Sequence, residues 1–308
     1  MKYNSIFLNR INCKNSDEVF KFLIDTLKDT ITQWDYFVNW SKVFKNIKKI
    51  EMDLNLLNYL IGKENIKEEF KKLLMQYPSI FRTIPVLIAL RNNDFKILSE
   101  YGYNNFQYSD FSFKSKKNIS ENEIKKTIEF VVKSGFLNLL SSKKIKNIVD
   151  YVIGVEVGID SNGRKNRIGK TMEGILEFFI NDICKRNKFE YIEQATAPKI
   201  KKKWNLNLTV DKSSRKIDFA IYNGKKLYLI ETNFYGGSGS KLKSTAGEYK
   251  TMFDYWKNDG HKFIWITDGA GWVTTHLPLR ETFNYTDFIL NLEMLSKKIL
   301  EDIIINNE

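Results

Sequence analysis

The sequence predicts an α/β (α+β) protein, with a mixed central sheet flanked by helices and a mostly helical N-terminal region. Three observations predict it. Apolar residues recur at helical spacing from Ser16 to about Tyr101. A helix, three strand-like runs, a helix and a strand follow one another between Arg164 and Thr267. Two of those runs are joined by Asn223-Gly224, a residue pair that closes tight hairpins.

The elements follow in order. Val19, Phe20, Phe22, Leu23 and Leu27 form one apolar face, and Leu54, Leu57, Tyr59, Leu60 and Ile61 another, so the first part reads as a helical bundle. Pro78 and Pro85 punctuate it with a turn or a short extended segment. Gly102 to Ser120 is aromatic, rich in Asn and Ser and aperiodic, which suggests a loop or an irregular pair of strands. Ser120 to Glu123 has the form of a capping box, opening a helix through about Ser134. A short helix around Lys143 to Gly154 precedes a long one on which Met172, Ile175, Leu176, Phe179, Ile180 and Ile183 share a face, with Glu173 and Glu177 on the adjoining one. Then come a strand at Glu190 to Ala195, the hairpin Lys216 to Tyr222 and Leu227 to Thr232, a helix around Ala246 to Lys257 and a strand at Lys262 to Thr267. An amphipathic helix from Thr286 to Ile305 closes the chain. The expected division is 1–150, mostly helical, and 151–308, built on the sheet.

The 308 residues carry 49 Lys+Arg against 37 Asp+Glu, a net charge of +12, which suits a polyanionic partner better than a small neutral one. The sign alone does not separate DNA from RNA or an acidic membrane, and a Lys- and Asn-rich composition would also produce it. The distribution favours a directed role. Glu281 to Glu308 holds six acids and two lysines, whereas Arg164, Lys165, Arg167 and Lys170, and then Lys199 to Lys203, form basic clusters on either side of the strands. The longest apolar run, Pro85 to Leu90, is far below the roughly eighteen residues of a membrane span, and the N-terminus lacks a signal-peptide pattern, so a cytoplasmic protein without a membrane partner is expected. Cys13 and Cys184 are far apart and outside any CxxC spacing, and His261 and His276 are too few for a histidine-rich metal site.

The chemistry gathers on the hairpin. Asp218 lies near the start of one strand and Glu231 near the end of the next, twelve residues intervening, so the two carboxylates meet. Hard oxygen ligands in this arrangement suit magnesium. The spacing D-x(12)-E-x-N lies within the range of the PD-(D/E)XK nucleases, and helix, three strands, helix, strand is the core topology of that restriction-endonuclease-like fold.

Three further blocks carry a closer resemblance: GVEVGIDSNGRKNRIGKTME at Gly154 to Glu173, ETNFYGGSGSKLKSTAGEYK at Glu231 to Lys250, and FIWITDGAGW at Phe263 to Trp272. Over roughly Val152 to Pro278 the chain resembles the DpnII/MboI family of type II restriction endonucleases. The resemblance implies hydrolysis of double-stranded DNA at unmethylated GATC with four-base 5′ extensions, a Mg2+ cofactor, a homodimer matched to the palindrome, and a companion adenine methyltransferase acting on the same site. The helical 1–150 region would then serve DNA binding or dimerisation, and 151–308 catalysis.

Resemblance to the superfamily implies Asp218, Glu231 and the backbone carbonyl of Thr232 as metal ligands. Glu173 is a candidate outer or second-metal ligand, or else a solvated neighbour of Lys170. The superfamily pattern places a lysine where this chain has Asn233, which can orient a water but carries no charge. Lys241 and Lys243, on a loop made pliable by Gly236, Gly237 and Gly239, could deliver the ammonium instead. Arg164, Lys165, Asn166 and Arg167, with Ser240, Lys241 and Lys243, are the candidate DNA contacts. Arg and Asn pair with guanine and adenine edges, and phosphate contact is the alternative. The rival reading is a catalytically inactive, or non-restriction, DNA-binding protein of the same fold.

Overall fold

A computed structural model of the protein describes residues 3–103 and 105–306, apart from the side chains of Asp35 and Lys165. The chain divides into two compact units, 1–33 with 166–308, and 34–165.

The first unit opens with α1 (Ser5–Ile11) and α2 (Ser16–Asp25), capped by Asn4 and Asn15. Sequence grouped them with the helical region 1–150. Their apolar residues Ile6, Phe7, Val19 and Leu23 are instead buried in the same core as the central sheet.

The second unit is built from α3 (Trp40–Lys48), α4 (Glu51–Leu57), α5 (Ile66–Gln76), α6 (Ile84–Leu87), a hairpin of β1 (Asp94–Gly102) and β2 (Asn105–Ser112), then α7 (Glu121–Lys133), α8 (Phe136–Ser141) and α9 (Ile148–Ser161). The predicted capping box is present: the Ser120 side chain accepts from Glu123 N–H and the Glu123 carboxylate accepts from Ser120 N–H. The hairpin corrects the helical reading of 94–101. Its base is fixed by Phe95 opposite Phe111, ring centroids 5.7 Å apart, both packed on Phe130 of α7. The unit extends to Lys165 rather than stopping at 150, for a physical reason on α9. Ile148 and Val152 join the helical core, Glu156 accepts from Arg91 at 2.9 Å, and Asp160 accepts from Asn39 N–H at 3.0 Å.

The chain re-enters the first unit along α10 (Arg164–Asn187), followed by β3 (Glu190–Ala195), α11 (Ala197–Trp204), β4 (Ile217–Tyr222), β5 (Leu227–Phe234), α12 (Ser240–Asn258), β6 (Lys262–Asp268), α13 (Gly271–Thr274), α14 (His276–Tyr285), β7 (Phe288–Leu290), α15 (Leu292–Ser296) and α16 (Ile299–Ile305). The five strands form one mixed sheet in the order β3-β4-β5-β6-β7. β4 pairs antiparallel with both β3 and β5, and β5, β6 and β7 are parallel. β5 is buried along Leu227 to Thr232, as a central strand with helices over it must be.

The predicted closing helix is not continuous. Phe288, Ile289 and Leu290 form a fully buried edge strand on β6, Asn291 caps a new helix, and Lys298 at φ 63° separates the last two helices. A short apolar run reads alike as buried strand or helix, and sheet pairing decides it here. Asp268, at the end of β6, secures this region by accepting backbone N–H groups from Lys28, Gly269 and Leu292 at 2.6, 2.7 and 2.9 Å. Among the described residues, no helix is long and apolar enough to cross a membrane.

Candidate active site

The Asn223-Gly224 turn sets the register of the β4–β5 hairpin, with Gly224 at φ 88°. Phe219 pairs with Ile230, so the next position in register brings Asp218 across from Glu231. The Asp218 carboxylate accepts Thr232 N–H at 2.8 Å. In an extended strand a residue's N–H and C=O point to the same side, so the Thr232 carbonyl is directed toward Asp218 as well.

Both carboxyl groups are withdrawn from water, and the cost appears in their protonation. Burial pushes the Asp218 pKa up to about 6, against the Thr232 N–H bond, and the Glu173 charge adds to the rise. Burial, followed by the Asp218 charge, holds Glu231 well above the usual carboxylate range. Glu231 is 6% exposed, and its Oε1 has no hydrogen-bonding partner. Two buried carboxyls face to face, one with an oxygen lacking a donor, fit a divalent cation with oxygen ligands. Among the described residues no three His, Cys, Asp or Glu side chains converge as a metal cluster, so ligands beyond Asp218 and Glu231 would have to include non-acidic oxygens such as the Thr232 carbonyl.

Asn233, in the place of the superfamily's lysine, is enclosed in a hydrogen-bond network. Its Oδ1 accepts from Trp265 Nε1 at 3.3 Å and from Thr267 Oγ1 at 2.7 Å, and its Nδ2 donates to Tyr249 Oη at 3.3 Å. Indole nitrogen only donates, which fixes the amide's orientation. Tyr249 Oη donates in turn to Glu231 Oε2 at 3.4 Å. Burial holds the Tyr249 pKa well above its ordinary value, so the phenol stays a neutral donor. Position 233 therefore acts on Glu231 through a buried phenol, a connection sequence reasoning missed. The only trace was Tyr249 at a buried position of α12.

The profile of the DpnII restriction endonuclease family matches residues 19–302 of this chain. The chain belongs to the DpnII restriction endonuclease family. Its relatives include the type II restriction enzyme MjaIII of Methanocaldococcus jannaschii, 51% identical over 290 residues, 92% of this chain and 99% of that one. The type II restriction enzyme DpnII of Streptococcus pneumoniae is 41% identical over 286 residues, 91% and 96% of the two chains. MboI of Moraxella bovis is 32% identical over 283 residues, 90% and 93%. Membership places the protein among site-specific nucleases of DNA.

In this DpnII-family protein the remaining candidates are dispersed. Glu173, on α10, lies near the pair: its Oε2 accepts from Gln194 Nε2 at 3.2 Å, and Gln194 stands opposite Asp218 in the β3–β4 register. Gln194 was not foreseen. Lys241 and Lys243 were expected on a pliable loop, with Ser240 beside them as a DNA contact. They occupy the first turn of α12, which starts at Ser240 rather than near Ala246, and all three are exposed. The loop is shorter because it packs against β6's exit: Gly271 N–H donates to Tyr235 O at 2.8 Å, and a Cβ on Gly269 (φ 110°) would lie 2.3 Å from that same oxygen. Arg164 Nε donates to Phe37 O at 3.4 Å and its guanidinium lies over the Tyr36 ring. Asn166 is exposed, Arg167 is partly buried on α10, and the Lys165 side chain lies outside the described residues.

Proposed function

We propose that this protein is a Mg2+-dependent type II restriction endonuclease that hydrolyses double-stranded DNA at unmethylated GATC and leaves four-base 5′ extensions. It acts as a homodimer, each subunit cutting one strand of the palindrome, while a companion adenine methyltransferase protects the same site. The observation that carries the reading is the buried Asp218–Glu231 pair with an oxygen lacking a donor. Asp218, Glu231 and the Thr232 carbonyl would hold the ion, which when bound would polarise the scissile phosphate and make a water nucleophilic at neutral pH. Thr232 N–H holds Asp218 in orientation. Tyr249, aligned by Asn233, fixes the Glu231 carboxylate. Exposed Lys241 and Lys243 at the start of α12, with Asn166 and Arg167, would meet the DNA, and the 34–165 unit would serve binding or dimerisation. N6-methylation would remove one major-groove donor of adenine and add bulk.

Incubation of unmethylated and adenine-methylated plasmid with the protein and Mg2+, followed by mapping of the ends, tests this. Cutting of GATC only when unmethylated, lost in Asp218→Ala and Glu231→Ala while DNA binding persists, is the expected result. Another site, or preference for methylated DNA, overturns the specificity. A second reading, a catalytically inactive DNA-binding protein of the same fold, takes its support from the uncharged Asn233, and DNA binding without any cleavage would favour it.

A further inference from the structure

Asn39 caps α3 by accepting Lys42 N–H at 2.9 Å, and the side chains that hold the helix down gather on one side. Val43 and Ile47 are buried there, Asn46 Nδ2 donates to Glu156 at 2.9 Å, and Lys42 reaches Asp160 at 3.4 Å. Glu156 and Asp160 both belong to α9. The opposite side faces water. Trp40, Phe44 and Lys48, four residues apart, with Ser41 and Lys45 beside them, form one exposed stripe along α3.

Two properties set this stripe apart. Trp40 and Phe44 are 52% and 53% exposed, and their rings stack on each other, centroids 5.8 Å apart and planes 22° apart. A large apolar face is thus presented to solvent. The other property is charge. α3 carries three lysines and no acid, whereas α5 sets Lys67, Lys71 and Lys72 against Glu68 and Glu69, and α7 sets three lysines against three glutamates. The imbalance on α3 is therefore more than the chain's lysine-rich composition repeated. Rings alone would suit a second protein chain, but the centre of a protein interface is poor in lysine. Rings interleaved with lysines suit a nucleic acid, which offers phosphates to the ammonium groups and bases and sugars to the rings.

We propose that the Trp40–Lys48 stripe of α3 is a duplex-DNA contact of the 34–165 unit: Lys45 and Lys48 take backbone phosphates, and Trp40 with Phe44 wedges against the base step between them. It fixes position rather than reading sequence. The assignment rests on the nuclease reading above and names a surface for the binding role of that unit.

Binding of the full-length protein to a GATC-containing duplex, measured in chelator over a range of salt, tests it. Lys45→Ala and Lys48→Ala should each weaken binding and lower the salt slope by about one. The double variant Trp40→Ser with Phe44→Ser should bind at least about fivefold more weakly with the slope unchanged, because rings release no counterions. Trp40→Phe keeps a ring and should hold most of the affinity, while the share of the DNA-induced fluorescence quench that belongs to Trp40 disappears. Lys125→Ala, on the charge-balanced α7, should leave affinity and slope unchanged. Should the double variant melt well below the wild type, the lysine slopes and the Trp40→Phe quench decide. Ring variants that bind as the wild type does, or lysine variants with an unchanged slope, overturn the proposal. Ring variants that sediment as monomers where the wild type is a dimer overturn it too, since the stripe would then belong to a second copy of the chain. A wild type that binds no duplex sinks the nuclease reading as well, whereas variants indistinguishable from a wild type that binds and cuts DNA sink the proposal alone.

Discussion

Replacing Asp218 by Asn should make the metal-free protein more stable at neutral pH. The carboxyl's pKa is raised from 3.8 to about 6, chiefly by burial. A raised carboxylate pKa means that the fold prefers the protonated form, so the penalty is absent below about pH 4, grows as the pH climbs, and is complete above about pH 6. Roughly two pKa units correspond to about 3 kcal/mol. Asparagine keeps an acceptor oxygen for Thr232 N–H and discards the charge, so the gain is nearly the whole amount. For a domain of this size about 3 kcal/mol is on the order of 6 to 12 °C in melting temperature. Melts in chelator, across the range from acid to neutral, measure it. The variant should match the wild type in acid and exceed it at neutral pH, and Mg2+ should then raise the wild type toward the variant. A variant that is no more stable at neutral pH, or a difference indifferent to pH, would refute the reasoning.

Tyr249→Phe removes the donor to Glu231 and strands the Asn233 amide, so single-turnover cleavage should drop about tenfold, the factor that corresponds to roughly 1.4 kcal/mol, with the far-UV spectrum unchanged. Asp268→Ala leaves three backbone N–H groups near the buried end of β6 without their acceptor. At about 1 to 3 kcal/mol each it should cost at least about 3 kcal/mol in denaturant unfolding. Lys241→Ala and Lys243→Ala, exposed on α12, should each weaken DNA binding and lower the salt slope by about one. Their cleavage rate at saturating DNA should stay near normal, and a large rate loss there would assign them to the chemistry.

The hairpin was legible because its determinants are local. Asn223-Gly224 fixes the turn, and register follows from the strands on either side, so twelve intervening residues suffice to bring Asp218 to Glu231. Gln194 was not, because nothing in the strand's own sequence marks a glutamine for a backbone at φ 45°. Tyr249 likewise reads as core packing until Asn233 and Glu231 are seen on either side of it. Phe288 to Leu290 and the first turns of α12 show the other limit. A three-residue apolar run has no period to read, and a helix whose N-cap is Gly239, without a capping side chain, announces no start.

The enclosure of Asn233 restricts what position 233 can hold. Trp265 and Thr267 both present hydrogens to one oxygen, and Tyr249 presents its oxygen to the amide nitrogen. A lysine at position 233 would bring donors and no acceptor, and would leave the Trp265 indole N–H unanswered. Tyr249 and Thr267 could still accept from an ammonium, so the donor-only indole of Trp265 is the neighbour that ties position 233 to a side chain with an acceptor oxygen.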